Sequence, residues 1–172
     1  MHLIPLLQHS LIYGVILGIA VSASFLVGAY LSPEVMLRGY PPDIKDRYGP
    51  MSAKGQRHQK MLAIPVSLVM FGTLILAIVR LARVAGELTF AAVFVCAAIM
   101  LIMLNVIDLV VNDWLIFVTV RPRFVVLPGT EGMAGYRDYG FHFRQFLKGT
   151  AGSLAAGLII AGVTMLIYLA VS

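Results

Sequence analysis

The stretch LTFAAVFVCAAIMLIMLNVI, residues 88 to 107, decides the fold of this chain. It contains no Asp, Glu, Lys or Arg over its whole length. A helix of about 20 apolar residues is long enough to cross the hydrocarbon core of a bilayer. A buried helix of a soluble protein is usually shorter and keeps a polar face. The stretch therefore predicts a transmembrane helix.

Three further stretches of the chain share this character. Residues 1 to 33, 61 to 79 and 149 to 172 also lack Asp, Glu, Lys and Arg. Only 12% of the chain is charged, whereas an ordinary soluble domain is about 25% charged. We therefore predict an all-α integral membrane protein, a bundle of four transmembrane helices that forms a single domain over residues 1–172. The spans are placed at about 10–32, 61–82, 88–118 and 149–171, and the two long loops at about 33–60 and 119–148.

The distribution of basic residues predicts the orientation of these spans. Of the 13 Lys and Arg residues, only Arg80 and Arg83 fall in the second connection, and the others fall in the first and third. Loops rich in Lys and Arg stay in the cytoplasm. We therefore expect the first and third loops on the cytosolic side of the cytoplasmic (inner) membrane, and both termini outside.

The formal net charge of +5 belongs to this cytosolic surface. Each basic residue near a membrane surface contributes about 1 kcal/mol of attraction to anionic lipid. Membrane lipids, anionic ones above all, are therefore the expected partners. No nucleic-acid partner is expected, because no recognition fold fits in these loops.

Small residues recur every four positions in the first and fourth spans. The set is Gly14, Gly18 and Ser22 in span one, and Gly149, Ser153, Gly157 and Ala161 in span four. This spacing puts each set on one helix face, and small residues let two helices approach closely in lipid. We expect either that spans one and four touch, or that one stripe faces a second copy in a homo-oligomer or another membrane protein.

The end of the second loop predicts a short interfacial helix before the fourth span. If residues 136–148 are helical, four aromatic rings lie within about 80° of arc and three cations lie on another face. The rings are Tyr136, Tyr139, Phe143 and Phe146, and the cations are Arg137, Arg144 and Lys148. This pattern is typical of a helix that lies in the membrane interface.

Polar side chains follow the third span at its cytosolic end. As an α-helix, this segment places Asn105, Asp108 and Asn112 within about 60° of one another, with Thr119 on the same face and Asp113 to one side. A carboxylate within lipid is costly, so such groups normally face protein or trapped water. The stripe could tie span three to its neighbours, line a pocket open to the cytosol, or let Asp108 carry a proton or cation.

Two arginines, Arg121 and Arg123, flank the same membrane boundary. We expect them to pair with Asp108 and Asp113, because unpaired ions near lipid are costly. Pro122 between them should end any helix. Pro65 is expected near the start of span two, where a proline is best tolerated.

The candidate ligand-binding residues are Asn105, Asp108, Asn112, Asp113, Arg121, Arg123, His142 and Arg144. The arginines could hold a phosphate or carboxylate, and the carboxylates with His142 could move protons. The leading interpretation is a membrane protein that binds anionic lipid or serves as a scaffold or subunit of a membrane complex. The alternatives are a small membrane enzyme acting on a lipid-like or phosphate-bearing substrate, and an oligomeric proton- or cation-coupled transporter.

The sequence assigns no catalytic residue, no cofactor and no metal site. Two cytosolic histidines, His58 and His142, lack the spacing of a ligand pair. The chain has one cysteine, Cys96, so an intrachain disulfide is excluded.

Overall fold

The computed structural model describes residues 3–85 and 87–171. Met1, His2 and Ser172, the chain ends for which an outward orientation is expected, lie outside the described residues, as does Gly86. The α-helices are α1 (Leu3–Leu31), α2 (Pro42–Tyr48), α3 (Ala53–Ala85), α4 (Phe90–Ile107) and α5 (Tyr139–Val171). Helix α4 continues as a π-helix (Asp108–Val120), and short 3₁₀ segments cover Pro33–Gly39, Arg123–Val125 and Ala134–Arg137.

Four of these helices are long and apolar enough to cross a membrane. They are α1, α3, α4 with its π-helical continuation, and α5. The prediction of an all-helical chain with four such helices is confirmed over the described residues.

Helices α1 and α4 form the centre of the bundle. Helix α1 packs against α3 and α4, and α4 packs against α1 and α5. The main hydrophobic core lies along these contacts and includes the fully buried Leu17, Val93 and Met100. Helices α3 and α5 lie on the outside and expose large apolar side chains such as Phe71 and Leu166. Apolar outer faces of this kind are compatible with the hydrocarbon chains of a lipid bilayer, which are equally apolar.

The stripes of small residues on α1 and α5 both face α4. A Cβ atom at Gly14 would lie 2.9 Å from the Cβ of Met103, and one at Gly157 would lie 3.4 Å from the Cβ of Ala98. Because α4 lies between α1 and α5, the two stripes do not pack on each other as expected. The close approaches are instead made on the two sides of one central helix.

The π-helix (Asp108–Val120) changes the spacing of side chains at the end of the third span. Its hydrogen bonds reach five residues along the chain instead of four. The N–H of Arg121 donates to the carbonyl of Ile116 at 2.8 Å in this way. Each turn therefore contains more residues than a turn of α-helix, and successive side chains are separated by a smaller angle.

Asp113, expected to one side of the polar stripe, lies in this π-helix, and its carboxylate contacts His142 of α5. Four residues of the segment are buried, Leu109, Asn112, Phe117 and Val118. The segment therefore contributes both polar and apolar side chains to the interior of the bundle.

The loops after α1 and after the π-helix pack on each other and form a cap at one end of the bundle, called the loop end below. Their shared core contains the buried Tyr40, Ile44, Leu127 and Tyr136. The hydroxyl of Tyr40 donates to the carbonyl of Val125 at 2.6 Å. The first and third connections thus lie at the same end of the bundle.

Helix α1 begins at Leu3, before its predicted span. Helices α3 and α5 also begin earlier than predicted, because polar side chains cap them inside the loops. The hydroxyl of Ser52 accepts from the N–H of Gly55 at 3.0 Å, and the carboxylate of Asp138 accepts from the N–H of Phe141 at 2.7 Å. Such caps stabilise helix starts by about 1 kcal/mol. Helix α3 consequently begins at Ala53, and Pro65 lies well inside it rather than near its start.

The segment predicted as an interfacial helix belongs mainly to α5. Residues 139–148 are helical and continue without a break into the fourth span. Tyr136 lies in the preceding 3₁₀ segment and is buried in the cap, so it does not join the other rings. Trp114 packs against Tyr139 and Phe143, with ring centroids 5.9 and 6.4 Å apart.

Candidate functional site

Asn112 is the buried centre of the polar stripe and is 2% exposed. Its Nδ2 donates to the Ser22 hydroxyl of α1 at 3.1 Å and to the Asp108 carboxylate at 2.8 Å. The amide thus ties the π-helix to α1 and supplies a donor to Asp108. Its Oδ1 is buried and has no hydrogen-bond partner within 3–85 and 87–171.

Asn105 makes the corresponding link from α4 to α5. Its Nδ2 donates to the Ser153 hydroxyl at 2.7 Å and to the carbonyl of Leu101 at 2.9 Å. A Cβ atom at Gly149 would lie 2.7 Å from Oδ1 of Asn105, so this contact requires the glycine. Hydrogen bonds between helices in lipid contribute about 0.6 kcal/mol on average. Asn105 therefore joins two spans.

Asp113 and His142 form a hydrogen-bonded pair between the π-helix and the start of α5. The Oδ1 of Asp113 lies 3.0 Å from Nδ1 of His142. The imidazole is 3% exposed and packs against the rings of Phe117 and Phe141, with centroids 4.9 and 5.2 Å away. Because a carboxylate accepts at Nδ1, that nitrogen carries a proton. Nε2 is then the free atom of the ring, and it is buried without a partner in the part of the chain described.

The two acids and the histidine form one electrostatic cluster. Asp108 and Asp113 lie in the same π-helix, and Asp113 contacts His142 of α5. An imidazole oriented by a carboxylate can give or take a proton at its second nitrogen. Within the described ranges, no group of three or more His, Cys, Asp or Glu side chains is arranged to hold a metal ion.

Arg121 ends the π-helix in a strained conformation. Its φ of 46° and ψ of 60° lie in the left-handed region, where an L side chain costs about 1–2 kcal/mol. It is the one residue other than glycine with positive φ among those that the structure describes. The Nε of Arg121 is buried and has no hydrogen-bond partner in that same set.

The expected pairing of Arg121 and Arg123 with Asp108 and Asp113 is not formed. Asp113 pairs with His142, and Asp108 accepts from the amide of Asn112. The two arginines instead line a groove of about 530 Å³ at the loop end. The other residues of this groove are Val120, Val126, Glu131, Gly132 and Tyr136.

Arg144 stands apart from both groups. It is largely exposed, and its guanidinium lies 3.7 Å from the carboxylate of Asp138, the residue that caps the start of α5. The eight candidate residues are thus divided. Asn105 and Asn112 link spans, Asp108, Asp113 and His142 form an acidic cluster, and the arginines lie on the surface of the loop end.

A polar network in the first loop was missed by the sequence reasoning. The carboxylate of Glu34 accepts from the hydroxyl of Tyr48 at 2.7 Å, and from the N–H and hydroxyl of Ser52 at 2.9 and 2.7 Å. The hydrogen bond to Glu34, with partial burial, raises the pKa of Tyr48 to about 12. These residues lie far apart in the chain and follow no periodic pattern, so no sequence signal marks them.

Comparisons of the chain with protein-family models, with curated proteins and with solved structures gave no match.

Proposed function

We propose that this membrane protein binds anionic, phosphate-bearing lipids at its loop end, on the cytosolic side of the cytoplasmic membrane, with Arg121 and Arg123 as the phosphate ligands. One observation carries this proposal. The Nε of Arg121 is a buried donor with no acceptor in the described chain, and it lies beside a groove that Arg123 also lines.

A guanidinium is a donor that needs an acceptor. It stays charged at any physiological pH, and it presents five N–H groups in a fixed plane. A buried donor to which no acceptor is supplied costs about 1–3 kcal/mol, and more when it is charged. Phosphate oxygens accept two such N–H groups side by side, so a phosphate is a suitable partner for Arg121.

The backbone of Arg121 supports a role in binding. Left-handed conformations of residues other than glycine persist where the surrounding structure enforces them, and they cluster at ligand sites. Here the strained residue, the buried guanidinium nitrogen and the groove coincide at one position.

The charge of the groove suits a phosphodiester. Arg121 and Arg123 supply two positive charges, and the carboxylate of Glu131 supplies one negative charge. The net charge of one therefore matches a headgroup that carries a single negative charge. Because Val120 at the end of the membrane-spanning segment is exposed beside the groove, a lipid phosphate can reach it while its chains remain in the bilayer.

The test is lipid binding by the purified full-length protein in neutral detergent. Native mass spectrometry would compare phosphatidylglycerol with phosphatidylcholine of the same acyl chains. The double variant Arg121→Gln, Arg123→Gln should lose about tenfold or more of its phosphatidylglycerol affinity, the loss expected for a hydrogen bond to a charged group. The control Arg80→Gln, Arg83→Gln removes the same charge at the opposite end of α3. Equal losses in both variants would refute the proposal.

A second candidate is a membrane-embedded enzyme that uses His142 as its acid or base. The observation in its favour is the buried, unpartnered Nε2 on an imidazole that Asp113 orients. Lipid extracts of cells that express the wild type or His142→Gln would be compared by mass spectrometry. A lipid species that accumulates or disappears only with the wild type supports this function, and identical lipid profiles count against it.

A further inference from the structure

The geometry points to a separate site on the outer face of α3 that binds one whole anionic phospholipid, with its phosphate in a cationic groove at the loop end and an acyl chain in an apolar groove directly below. This site shares no residue with the groove of Arg121 and Arg123, and it does not rest on the function proposed for them.

The cationic groove has a volume of about 710 Å³ and lies where the first loop meets α3. Arg38, Lys45 and Lys60 line it, together with the apolar Leu37 and Ala63. None of these three cations forms an ion pair within residues 3–85 and 87–171. Three unneutralised positive charges around an apolar floor are complementary to a phosphate that is attached to an apolar body.

Two glutamines hold this groove in shape. The amide of Gln59 donates to the carbonyl of Val35 at 3.1 Å, and the amide of Gln56 donates to the carbonyl of Met51 at 3.2 Å. Both bonds fasten loop backbone to α3. The groove is therefore formed before any ligand arrives, which lowers the entropy lost on binding.

The apolar groove continues from the cationic one. It has a volume of about 520 Å³ and shares Ala63 with the cationic groove. From there it follows α3 past Ser67 and Phe71 to Ile75. A helix rises 1.5 Å per residue, so this distance is about 18 Å, comparable with the roughly 15 Å of one leaflet's hydrocarbon. One acyl chain fits along it.

Gly72 forms a notch in the apolar groove. A Cβ atom at this position would meet no other atom within 4 Å, so no packing contact within the protein requires the glycine. A larger side chain at Gly72 would fill the groove from within while leaving the helix contacts unchanged. A substitution at Gly72 therefore tests the acyl-chain groove separately from the phosphate groove.

The order of the two grooves along one helix identifies the occupant as a lipid. The charged groove lies at the end of α3 where the loops are, and the apolar groove lies on the exposed face of the membrane-spanning part. A soluble phosphate compound would use only the first groove. A second protein helix would use only the second.

The experiment is a native mass spectrometry titration of the full-length protein with phosphatidylglycerol, phosphatidylcholine of the same chains, and glycerol phosphate. The triple variant Arg38→Gln, Lys45→Gln, Lys60→Gln should bind one phosphatidylglycerol fewer than the wild type. Gly72→Leu should weaken that same binding event at least severalfold. Both effects should persist when Arg121 and Arg123 are also replaced, which distinguishes this site from the one proposed above.

Two matched controls accompany these variants. Arg80→Gln with Arg83→Gln removes positive charge from the other end of α3, and Gly162→Leu places leucine at a glycine of α5 whose Cβ would also meet nothing within 4 Å. Both should bind lipid as the wild type does. The inference is overturned if Gly72→Leu and Gly162→Leu act alike, if the triple variant keeps its full lipid stoichiometry, or if glycerol phosphate binds as tightly as the lipid.

Discussion

The Oδ1 of Asp113 and the Nδ1 of His142 lie 3.0 Å apart across the contact between the π-helix and α5. His142 is almost fully buried and packs against two phenylalanine rings. The pair therefore fixes the first turns of α5 against the end of the third span, at the height where the loops begin.

We expect Asp113→Ala to destabilise the protein, because it leaves the buried Nδ1–H of His142 without an acceptor. Such a loss amounts to about 1–3 kcal/mol. The measurement is the free energy of unfolding in mixed detergent micelles titrated with SDS. Asp113→Asn keeps an acceptor oxygen, so its free energy of unfolding should decrease clearly less than that of Asp113→Ala. Equal losses for the two variants would show that the hydrogen bond to His142 is not the source of the stability.

We expect Arg121→Gly to stabilise the folded protein and to weaken phosphate binding in its groove. Glycine adopts a φ of 46° without the penalty of about 1 kcal/mol or more that an L side chain meets there. The same variant removes the guanidinium. Thermal unfolding and lipid binding measured on one preparation would check both effects. A decrease in the unfolding temperature would contradict the interpretation that the backbone of Arg121 is strained.

We expect Gly14→Ala to be destabilising and Gly72→Ala to be neutral or stabilising. The new Cβ at Gly14 would lie 3.1 Å from the Cα of Met100, whereas the one at Gly72 would meet nothing within 4 Å. Alanine is also better than glycine inside a helix by about 1 kcal/mol. Unfolding free energies of the two variants provide the comparison. If both behave alike, the close approach of α1 to α4 does not contribute to stability.

We expect acid to destabilise the first loop through Glu34. Partial burial alone would raise the pKa of Glu34, but the hydrogen bonds from Ser52 and Tyr48 outweigh it and lower the pKa below 4.5. A carboxyl whose pKa is lower in the folded state stabilises that state above the unfolded pKa, and the stabilisation is lost as the pH falls through the folded pKa.

The measurement is the unfolding temperature of the wild type and Glu34→Gln between about pH 3 and pH 6. The wild type should lose stability towards the acid end, and the variant should lose less. Glu87→Gln, at an exposed position outside the loop end, should follow the wild type. A variant curve parallel to that of the wild type would exclude Glu34 as the source of the acid sensitivity.

The spans were predictable because charge is absent over lengths that match a bilayer, as in residues 88–107. The ends of the helices were less predictable from the sequence. Helices α3 and α5 continue beyond the apolar stretch because Ser52 and Asp138 cap them. Hydropathy marks where lipid ends and not where the backbone stops being helical. The limits of the charge-free stretches therefore fall inside the helices.

The polar stripe was found from the sequence, but its partners were not. Asn112 and Asp108 lie together in α-helical and π-helical geometry alike, so a spacing argument brings them together. Asp113 contacts His142 of α5, and it lies in a π-helix that the sequence did not predict. No periodic pattern in the sequence indicates the π-helical pitch. The same holds for the long-range contacts of the loop cap, such as that of Tyr40 with Val125.

The wider winding of residues 108–120 has a consequence for motion. Suppose that one turn of this segment changed from π-helical to α-helical hydrogen bonding. The residues after that turn would then rotate about the helix axis by about 100°, the angle that one residue takes in an α-helix. The imidazole on the neighbouring helix would lose its carboxylate, and the strained arginine would leave its groove. The pitch of this segment therefore sets the positions of both Asp113 and Arg121 relative to the neighbouring elements.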